Sequence, residues 1–141
     1  MFFGFFIIEI TSGPHGTMAQ REAANIVLIE RKNPPFGWAI PGGFVDYGES
    51  VEEAVIREVL EETNIQAKEI RLFGVYSQPE RDPRFHTVSC VYIIEPKNKD
   101  IKASSDAEKI GLFSPQDLDK IKIAFDHRRI LEEYFQSEGL D

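Results

Sequence analysis

Residues 57–62, REVLEE, place three glutamates within about one helical turn of a single arginine. At about 100° per residue, Glu58 and Glu62 project in nearly the same direction and Glu61 stands beside them. Arg57 precedes Glu61 by one helical turn, a spacing that supports an ion pair but relieves only part of the repulsion among the carboxylates. The helix dipole also disfavours anions near the C-terminal end. A bound cation would relieve this repulsion.

The chemistry of the carboxylates indicates which cation would bind. Carboxylate oxygens suit hard ions, and magnesium is commonly held by one or two carboxylates together with substrate phosphates and water. The segment Pro41-Gly42-Gly43 precedes the acidic stretch and gives a backbone that can turn sharply and approach a ligand closely. The spacing alone leaves two interpretations open: a metal site, or a solvated acidic face of the kind that charge runs often form.

The helix that carries these glutamates has a recognisable start. Ser50 followed by Glu53 has the spacing of a capping box, and helical periodicity continues to residue 63. Ile56 and Leu60 point to the side opposite the glutamates. One face of the helix can therefore pack on a sheet while another presents the carboxylates.

Strand-like and helix-like segments alternate through the rest of the chain. A short extended piece, WAIPGGF, precedes the acidic helix. Ser114 and Pro115 mark the cap and first position of a short helical turn, and Asp126 fits the N-cap of a final amphipathic helix. Apolar, β-branched runs predict strands at residues 2–10, 23–30, 71–78 and 86–95. Mixed strands and helices predict an α/β or α+β sandwich.

Size and charge restrict the class of protein. A chain of 141 residues is the size of one ordinary domain. Its net charge of −8 argues against a protein that binds nucleic acid, because such binding depends on clustered lysine and arginine. A small phosphate ligand stays compatible, since a divalent cation can invert the local sign of a carboxylate site.

The cysteine count and the N-terminal segment bear on location. One cysteine, Cys90, permits no internal disulfide, and this predicts a reducing compartment, with the cytoplasm as the expectation. The start MFFGFFIIEI is too short to span a bilayer, contains Glu9 and lacks the basic residue and cleavage site of a signal peptide. We therefore predict a buried strand and no membrane partner.

Residues 43–65 resemble the Nudix box, the pattern G-x5-E-x7-R-E-U-x-E-E-x-G-U in which U is a bulky aliphatic residue. The one departure is Asn64, where the family usually has glycine. That position follows the helix end, where a left-handed residue is needed and asparagine is the best alternative to glycine. The matching positions are Gly43, Glu49, Arg57, Glu58, Val59, Glu61, Glu62 and Ile65.

The resemblance implies the Nudix fold, a mixed β-sheet sandwiched between α-helices, and hydrolysis of a nucleoside diphosphate linked to another group. It implies that Glu58, Glu61 and Glu62 are catalytic and ligate Mg²⁺ or Mn²⁺. The Gly42 carbonyl would be a further ligand. Glu49 and Arg57, with Gly43, would stabilise the box. The metals would orient and help deprotonate a water and neutralise charge on the pyrophosphate.

A further catalytic acid is expected outside the box. Asp106 lies seven residues before Phe113, similar to the placement of an acid ahead of an aromatic residue in the family, and Glu108 is the alternative. An exposed loop acid without a catalytic role is an equally open interpretation of either.

Residues 25–95 resemble the short prokaryotic ADP-ribose pyrophosphatase group of the family. That resemblance implies cleavage of ADP-ribose to AMP and ribose 5-phosphate, and a homodimer, with the apolar start as part of the interface or as a buried edge strand. Arg81 and Arg84 lie on a proline-containing loop and suit phosphate or ribose contacts, or else pair with Glu80 and Asp82. Trp38, Tyr76 and Phe36 could stack a base or belong to the core.

Other residues and functions stay open at this point. His86 is expected to be a structural strand residue, Cys90 a small buried one, and His127 has no partner at metal-ligand spacing. Within the family, nucleoside triphosphates, including oxidised ones, and dinucleoside polyphosphates are alternative substrates. A module that senses a nucleotide sugar without cleaving it is the alternative outside enzymes.

Overall fold

The computed structural model describes residues 2–10, 25–97 and 109–139, the first range as backbone only. These residues form seven strands, two α-helices and one 3₁₀ helix, and none of these helices is long and apolar enough to cross a membrane. The strands are β1 (Phe2–Ile10), β2 (Asn25–Glu30), β3 (Trp38–Ala39), β4 (Gly42–Phe44), β5 (Ala67–Tyr76), β6 (Val88–Pro96) and β7 (Lys109–Phe113). The helices are α1 (Val51–Thr63), the 3₁₀ helix (Pro115–Lys120) and α2 (His127–Ser137).

The strands form one mixed sheet in the order β3-β2-β1-β6-β5, with β4 paired to β1 and β7 paired to β2. Strand β1 runs parallel to β6 and antiparallel to β2 and β4. The N-terminal strand is therefore an interior strand, and the interpretation of it as an edge strand is wrong. Strand β5 forms an edge of this sheet.

One helix covers each face of the sheet. Val27, Tyr92 and Ile94 pack against Val55 and Val59 of α1. On the opposite face, the core contains Ile26 and Leu28 of β2, Val91 and Ile93 of β6, and Ile130 and Leu131 of α2. Neighbouring residues of one strand point to opposite faces, which is why Val27 belongs to one core and Ile26 to the other. The predicted mixed sheet between helices is the observed architecture.

Helix α1 begins and ends as its sequence predicts. The backbone N–H of Glu53 donates to Oγ of Ser50 over 3.1 Å, and the N–H of Ser50 donates to the carboxylate of Glu53. Asn64 adopts the left-handed conformation, with φ 63°, and donates its N–H to the Leu60 carbonyl. Ile56 and Leu60, however, are about half exposed. The face that packs on the sheet consists of Ala54, Val55, Val59 and Thr63.

Three other expectations need correction. Strand β5 begins at Ala67, before the predicted start at residue 71. His86 lies ahead of β6 and is exposed, with Nε2 3.1 Å from the carbonyl oxygen of Ser77. Strand β7 was not predicted: its five residues do not alternate regularly between buried and exposed, and they take their structure from pairing with β2.

Candidate active site

Strand β4 and helix α1 meet at Gly43 and Glu58. A Cβ atom added to Gly43 would lie 2.4 Å from Cδ of Glu58 and 2.5 Å from its Oε1. A side chain at this position would therefore have to displace the Glu58 carboxylate. The side chain of Glu58 is only 15% exposed, so the carboxylate has little room to retreat.

Arg57 connects the carboxylates of this region. Its Nη2 and Nε donate to the two carboxylate oxygens of Glu49 over 2.6 and 3.1 Å, the bidentate geometry that a guanidinium favours. Its Nη1 donates to Glu58 over 2.7 Å and to Glu61 over 3.2 Å. The structure thus brings together Glu49 and Arg57, which the resemblance to the Nudix box implied would stabilise the box.

The pair also closes the loop that leads into α1. Glu49 accepts the backbone N–H of Asp46 over 2.8 Å, and Arg57 donates to the Phe44 carbonyl over 3.1 Å. Hydrogen bonds from Arg57 and from the Asp46 N–H lower the pKa of Glu49, and the hydrogen bond to Glu49 raises the pKa of Arg57. Both groups are therefore charged at neutral pH, and the loop is held by an ion pair.

The donor set fits a hard divalent cation. Glu58, Glu61 and Glu62 supply carboxylate oxygens, which are the ligands that Mg²⁺ and Mn²⁺ prefer. Within residues 25–97 and 109–139, no three His, Cys, Asp or Glu side chains form an assembled metal centre. Instead Glu58 and Glu61 share Nη1 of Arg57, while Oε2 of Glu62 is buried. A cation at this site would have to compete with Arg57 for the carboxylates of Glu58 and Glu61. Asp106 and Glu108 lie outside the described residues.

Arg81 points into the protein. Its side chain is 8% exposed and forms a bidentate pair with Asp126, with Nε–Oδ2 and Nη2–Oδ1 distances of 2.9 and 3.1 Å. Its Nη1 donates to Ser89 over 2.8 Å and to Thr87 over 3.3 Å. The geometry favours a structural role over the predicted substrate contact. Asp126 occupies the N-cap position of α2 but makes no capping hydrogen bond, since its carboxylate binds Arg81.

Arg84 pairs with its neighbour Asp82, which was the alternative to a substrate contact. Its Nη2 and Nε donate to the carboxylate of Asp82 over 3.0 and 3.1 Å. Burial alone would raise the pKa of Asp82, but the hydrogen bonds from Arg84 lower it. The guanidinium also lies 4.9 Å from the ring centroid of Phe125, and Arg31 lies 4.7 Å from the same ring. Sequence reasoning missed Arg31 and Phe125, which no motif marks.

The predicted aromatic residues divide between a pocket and the core. Trp38 is half-buried, meets Phe113 edge-on at 4.7 Å, and with Phe36 lines a pocket of about 420 Å³. Tyr76 packs against the core and donates its hydroxyl to Glu133 over 2.6 Å, which favours the interpretation of it as a core residue. The pocket residues are Glu30, Arg31, Phe36, Gly37, Trp38, Lys120, Ile121 and Lys122.

His127 had no expected partner at metal-ligand spacing, and Cys90 was expected to be a small buried residue. His127 is fully buried, and its Nδ1 accepts the backbone N–H of Ile40 over 3.0 Å. Burial lowers the pKa of His127 to about 3, so the imidazole is neutral at physiological pH. Cys90 is half-buried, and desolvation raises the pKa of its thiol, which argues against a nucleophile.

Comparison with known proteins gives a consistent result. A family model described as NUDIX domain matches residues 16–134. An ADP-ribose pyrophosphatase of Methanocaldococcus jannaschii is 48% identical over 113 residues, which cover 79% of this chain and 66% of that protein. The ADPR responsive transcriptional repressor NtrR of Acinetobacter baylyi is 31% identical over 118 residues, which cover 78% of this chain and 46% of the repressor. The chain spans between about half and two thirds of the length of these relatives.

A solved structure supports the fold in particular. The NUDIX domain of Shewanella oneidensis NrtR complexed with ADP ribose has a TM-score of 0.81 to this chain at 22% identity. The match covers 97% of this chain and 87% of that domain. At this level of identity the likeness concerns the arrangement of the sheet and its flanking helices.

Proposed function

This chain belongs to the NUDIX domain family, and from that premise we propose that it hydrolyses the pyrophosphate bond of a nucleoside diphosphate derivative. The proposed substrate is ADP-ribose, cleaved to AMP and ribose 5-phosphate. The similarity to an ADP-ribose pyrophosphatase over 79% of the chain supports this substrate. The observation that carries the proposed chemistry is the contact of Glu58 with Gly43, because it sets one carboxylate of α1 against the glycine-containing strand.

Mg²⁺ or Mn²⁺ is the proposed cofactor, held by Glu58, Glu61 and Glu62 with the carbonyl of Gly42. When bound, such an ion lowers the pKa of a water molecule and neutralises charge on the pyrophosphate. Arg57 keeps Glu58 and Glu61 at one flank of α1 and so limits their repulsion. Asp106, with Glu108 as the alternative, stays the proposed general base.

The pocket at Trp38 is the proposed site for the base and ribose of the substrate. Trp38 and Phe36 offer aromatic surface, and Lys120 and Lys122 bring positive charge to the rim, which suits a ligand that is both planar and anionic. Arg84 is 32% exposed beside this region and keeps a solvent-facing side. Arg81 is not proposed as a substrate ligand, since its guanidinium faces Asp126 and Ser89.

Hydrolysis of a panel of compounds tests the function. With Mg²⁺ or Mn²⁺, ADP-ribose should yield AMP with kcat/KM on the order of 10⁴ M⁻¹ s⁻¹ or more, the range of ordinary enzymes. Excess EDTA should abolish product formation, and added Mg²⁺ should restore it. The panel contains ADP-ribose, other nucleoside diphosphate sugars, nucleoside triphosphates and dinucleoside polyphosphates, with products separated by chromatography.

Two other results would contradict the proposal in different ways. If only nucleoside triphosphates are cleaved in a metal-dependent reaction, the proposed metal chemistry stands but ADP-ribose is not the substrate. Tight binding of ADP-ribose without turnover would favour a sensing module, a function that the similarity to an ADPR responsive repressor makes worth testing. A calorimetric titration with ADP-ribose measures that binding.

A homodimer is the proposed assembly, with a surface formed by α1 and the edge strand β5 as its interface. Tyr92, opposite Leu72 in the sheet, donates its hydroxyl to Glu52 of α1 over 2.8 Å, so Leu72 projects on the α1 side. Strand β5 also carries exposed charges of both signs, which suits a two-fold contact of one surface with itself. Four aliphatic side chains on this surface are 47–54% exposed: Ile56, Leu60, Leu72 and Val75.

The double substitution Leu60→Glu and Leu72→Glu should convert the dimer to a monomer, because it places charge in an apolar contact. Sedimentation velocity over a range of protein concentrations measures the change. Tyr47→Glu, at a fully exposed residue of the loop before α1, is the control and should leave the dimer intact. A wild-type protein that sediments as a monomer at all concentrations would exclude this assembly.

A further inference from the structure

The segment before α2 runs beside β3. The backbone N–H of Trp38 donates to the Lys122 carbonyl over 2.9 Å, and the N–H of Ala124 donates to the Trp38 carbonyl over 2.8 Å. Trp38 and Ile123 accordingly pair as a parallel bridge. Beyond Ala124 the chain turns into α2, and a side chain provides the next contact with the strand, where His127 accepts the N–H of Ile40.

This hydrogen bond is enclosed by the protein. His127 and Ile40 are each 1% exposed. Because the neutral imidazole accepts through Nδ1, its proton resides on Nε2. A buried N–H that loses its acceptor costs the full desolvation of that group, so the contact fixes the backbone of Ile40 strongly.

The segment that follows Ile40 leads directly to the glycines. Pro41 is buried and has no N–H, so the amide of Ile40 is the last backbone donor before Gly42. Gly43 then contacts the carboxylate of Glu58 with no room for a Cβ atom. A small displacement of this segment would therefore move the backbone that faces Glu58.

We propose that His127 is a positioning residue of the reaction: by accepting the N–H of Ile40, it sets the backbone of Pro41-Gly42-Gly43 against Glu58. This inference rests on the proposed function for its kinetic consequence, but its structural part can be measured without substrate. His127 does not touch the reacting atoms and acts through Ile40.

Two substitutions at His127 separate positioning from packing. His127→Leu fills a similar volume without an acceptor, and kcat for ADP-ribose should fall about 10- to 100-fold with KM nearly unchanged. His127→Asn offers an amide oxygen close to the place of Nδ1 and should restore most of kcat. Without substrate, His127→Leu should also bind Mn²⁺ several-fold more weakly in a calorimetric titration.

Ile130→Val, at a fully buried position of the same helix, is the control for a general loss of stability. If His127→Leu lowers kcat and Mn²⁺ affinity no more than Ile130→Val does, the proposal is wrong.

Nitrogen NMR of the wild-type protein gives a test that needs no variant. It should show Nδ1 of His127 unprotonated and coupled through the hydrogen bond to the Ile40 amide.

The outcomes for function and for positioning are distinguishable. An inactive wild-type protein would overturn the proposed function, and the positioning role would then be judged by the NMR coupling and by Mn²⁺ affinity. A protonated Nδ1, or an Ile40 amide that exchanges rapidly with solvent, would overturn the positioning role even if the enzyme is active.

Discussion

Gly43→Ala should lower kcat/KM for ADP-ribose about 100-fold, equivalent to about 2.7 kcal/mol of transition-state stabilisation, while the protein stays folded. The added Cβ would lie 2.4 Å from Cδ of Glu58 and 2.7 Å from its Oε2, distances that real Cβ atoms do not adopt. The carboxylate must therefore leave its place beside β4. Steady-state kinetics with saturating Mg²⁺ measures the loss.

Gly74→Ala is the matched control for Gly43→Ala. Gly74 lies in β5, and a Cβ there would have the ring of Tyr76 as its nearest neighbour, at 3.3 Å. This variant should retain activity within about two-fold, as expected for a change that leaves the reacting groups in place. In the Gly43→Ala background, Glu58→Asp should recover part of the activity because the shorter side chain withdraws its carboxylate from the added methyl group. Wild-type activity in Gly43→Ala would contradict the role assigned to the contact.

Arg81→Met should lower the free energy of unfolding by about 3 kcal/mol. The substitution leaves the carboxylate of Asp126 without its bidentate partner at a site where the Asp126 side chain is 19% exposed. It also removes the donor to Ser89 and Thr87 at the start of β6. Urea denaturation followed by circular dichroism measures the change, with the slope of the transition expected to stay constant.

The surface pair of Arg129 with Glu133 provides the comparison. Its side chains are 67% and 41% exposed, and Arg129→Met should cost less than about 1 kcal/mol. Because Arg81 and Asp126 interact directly, the double variant Arg81→Met and Asp126→Asn should be more stable than the sum of the single effects predicts. Simple additivity of the two single changes would show that the pair does not act as a unit.

The acidic helix is the part of this protein that its sequence determined most completely. The capping box at Ser50, the left-handed Asn64 and the spacing of Glu58, Glu61 and Glu62 depend on residues close along the chain. Local rules of capping and periodicity therefore suffice for the bounds of α1. The same local pattern carries the resemblance to the Nudix box, and the match of the family model confirms it.

The exposure of Ile56 and Leu60 shows where helical periodicity stops being informative. Periodicity gives the direction of a side chain around the helix axis, but it does not say which flank the sheet covers. The sheet packs on the face of Val55 and Val59, and this leaves Ile56 and Leu60 about half exposed. Strand β7 is a similar case, because pairing with β2 defines it.

The sequence alone determined the bounds and caps of the acidic helix, since these depend on residues within a few turns of one another. Only the tertiary structure decided the partners of Arg81 and His127. Arg81 pairs with Asp126, 45 positions away, and His127 accepts from Ile40, 87 positions away. Nothing in the neighbouring residues specifies such contacts, because they arise when the sheet and α2 pack together and buried polar groups must find partners.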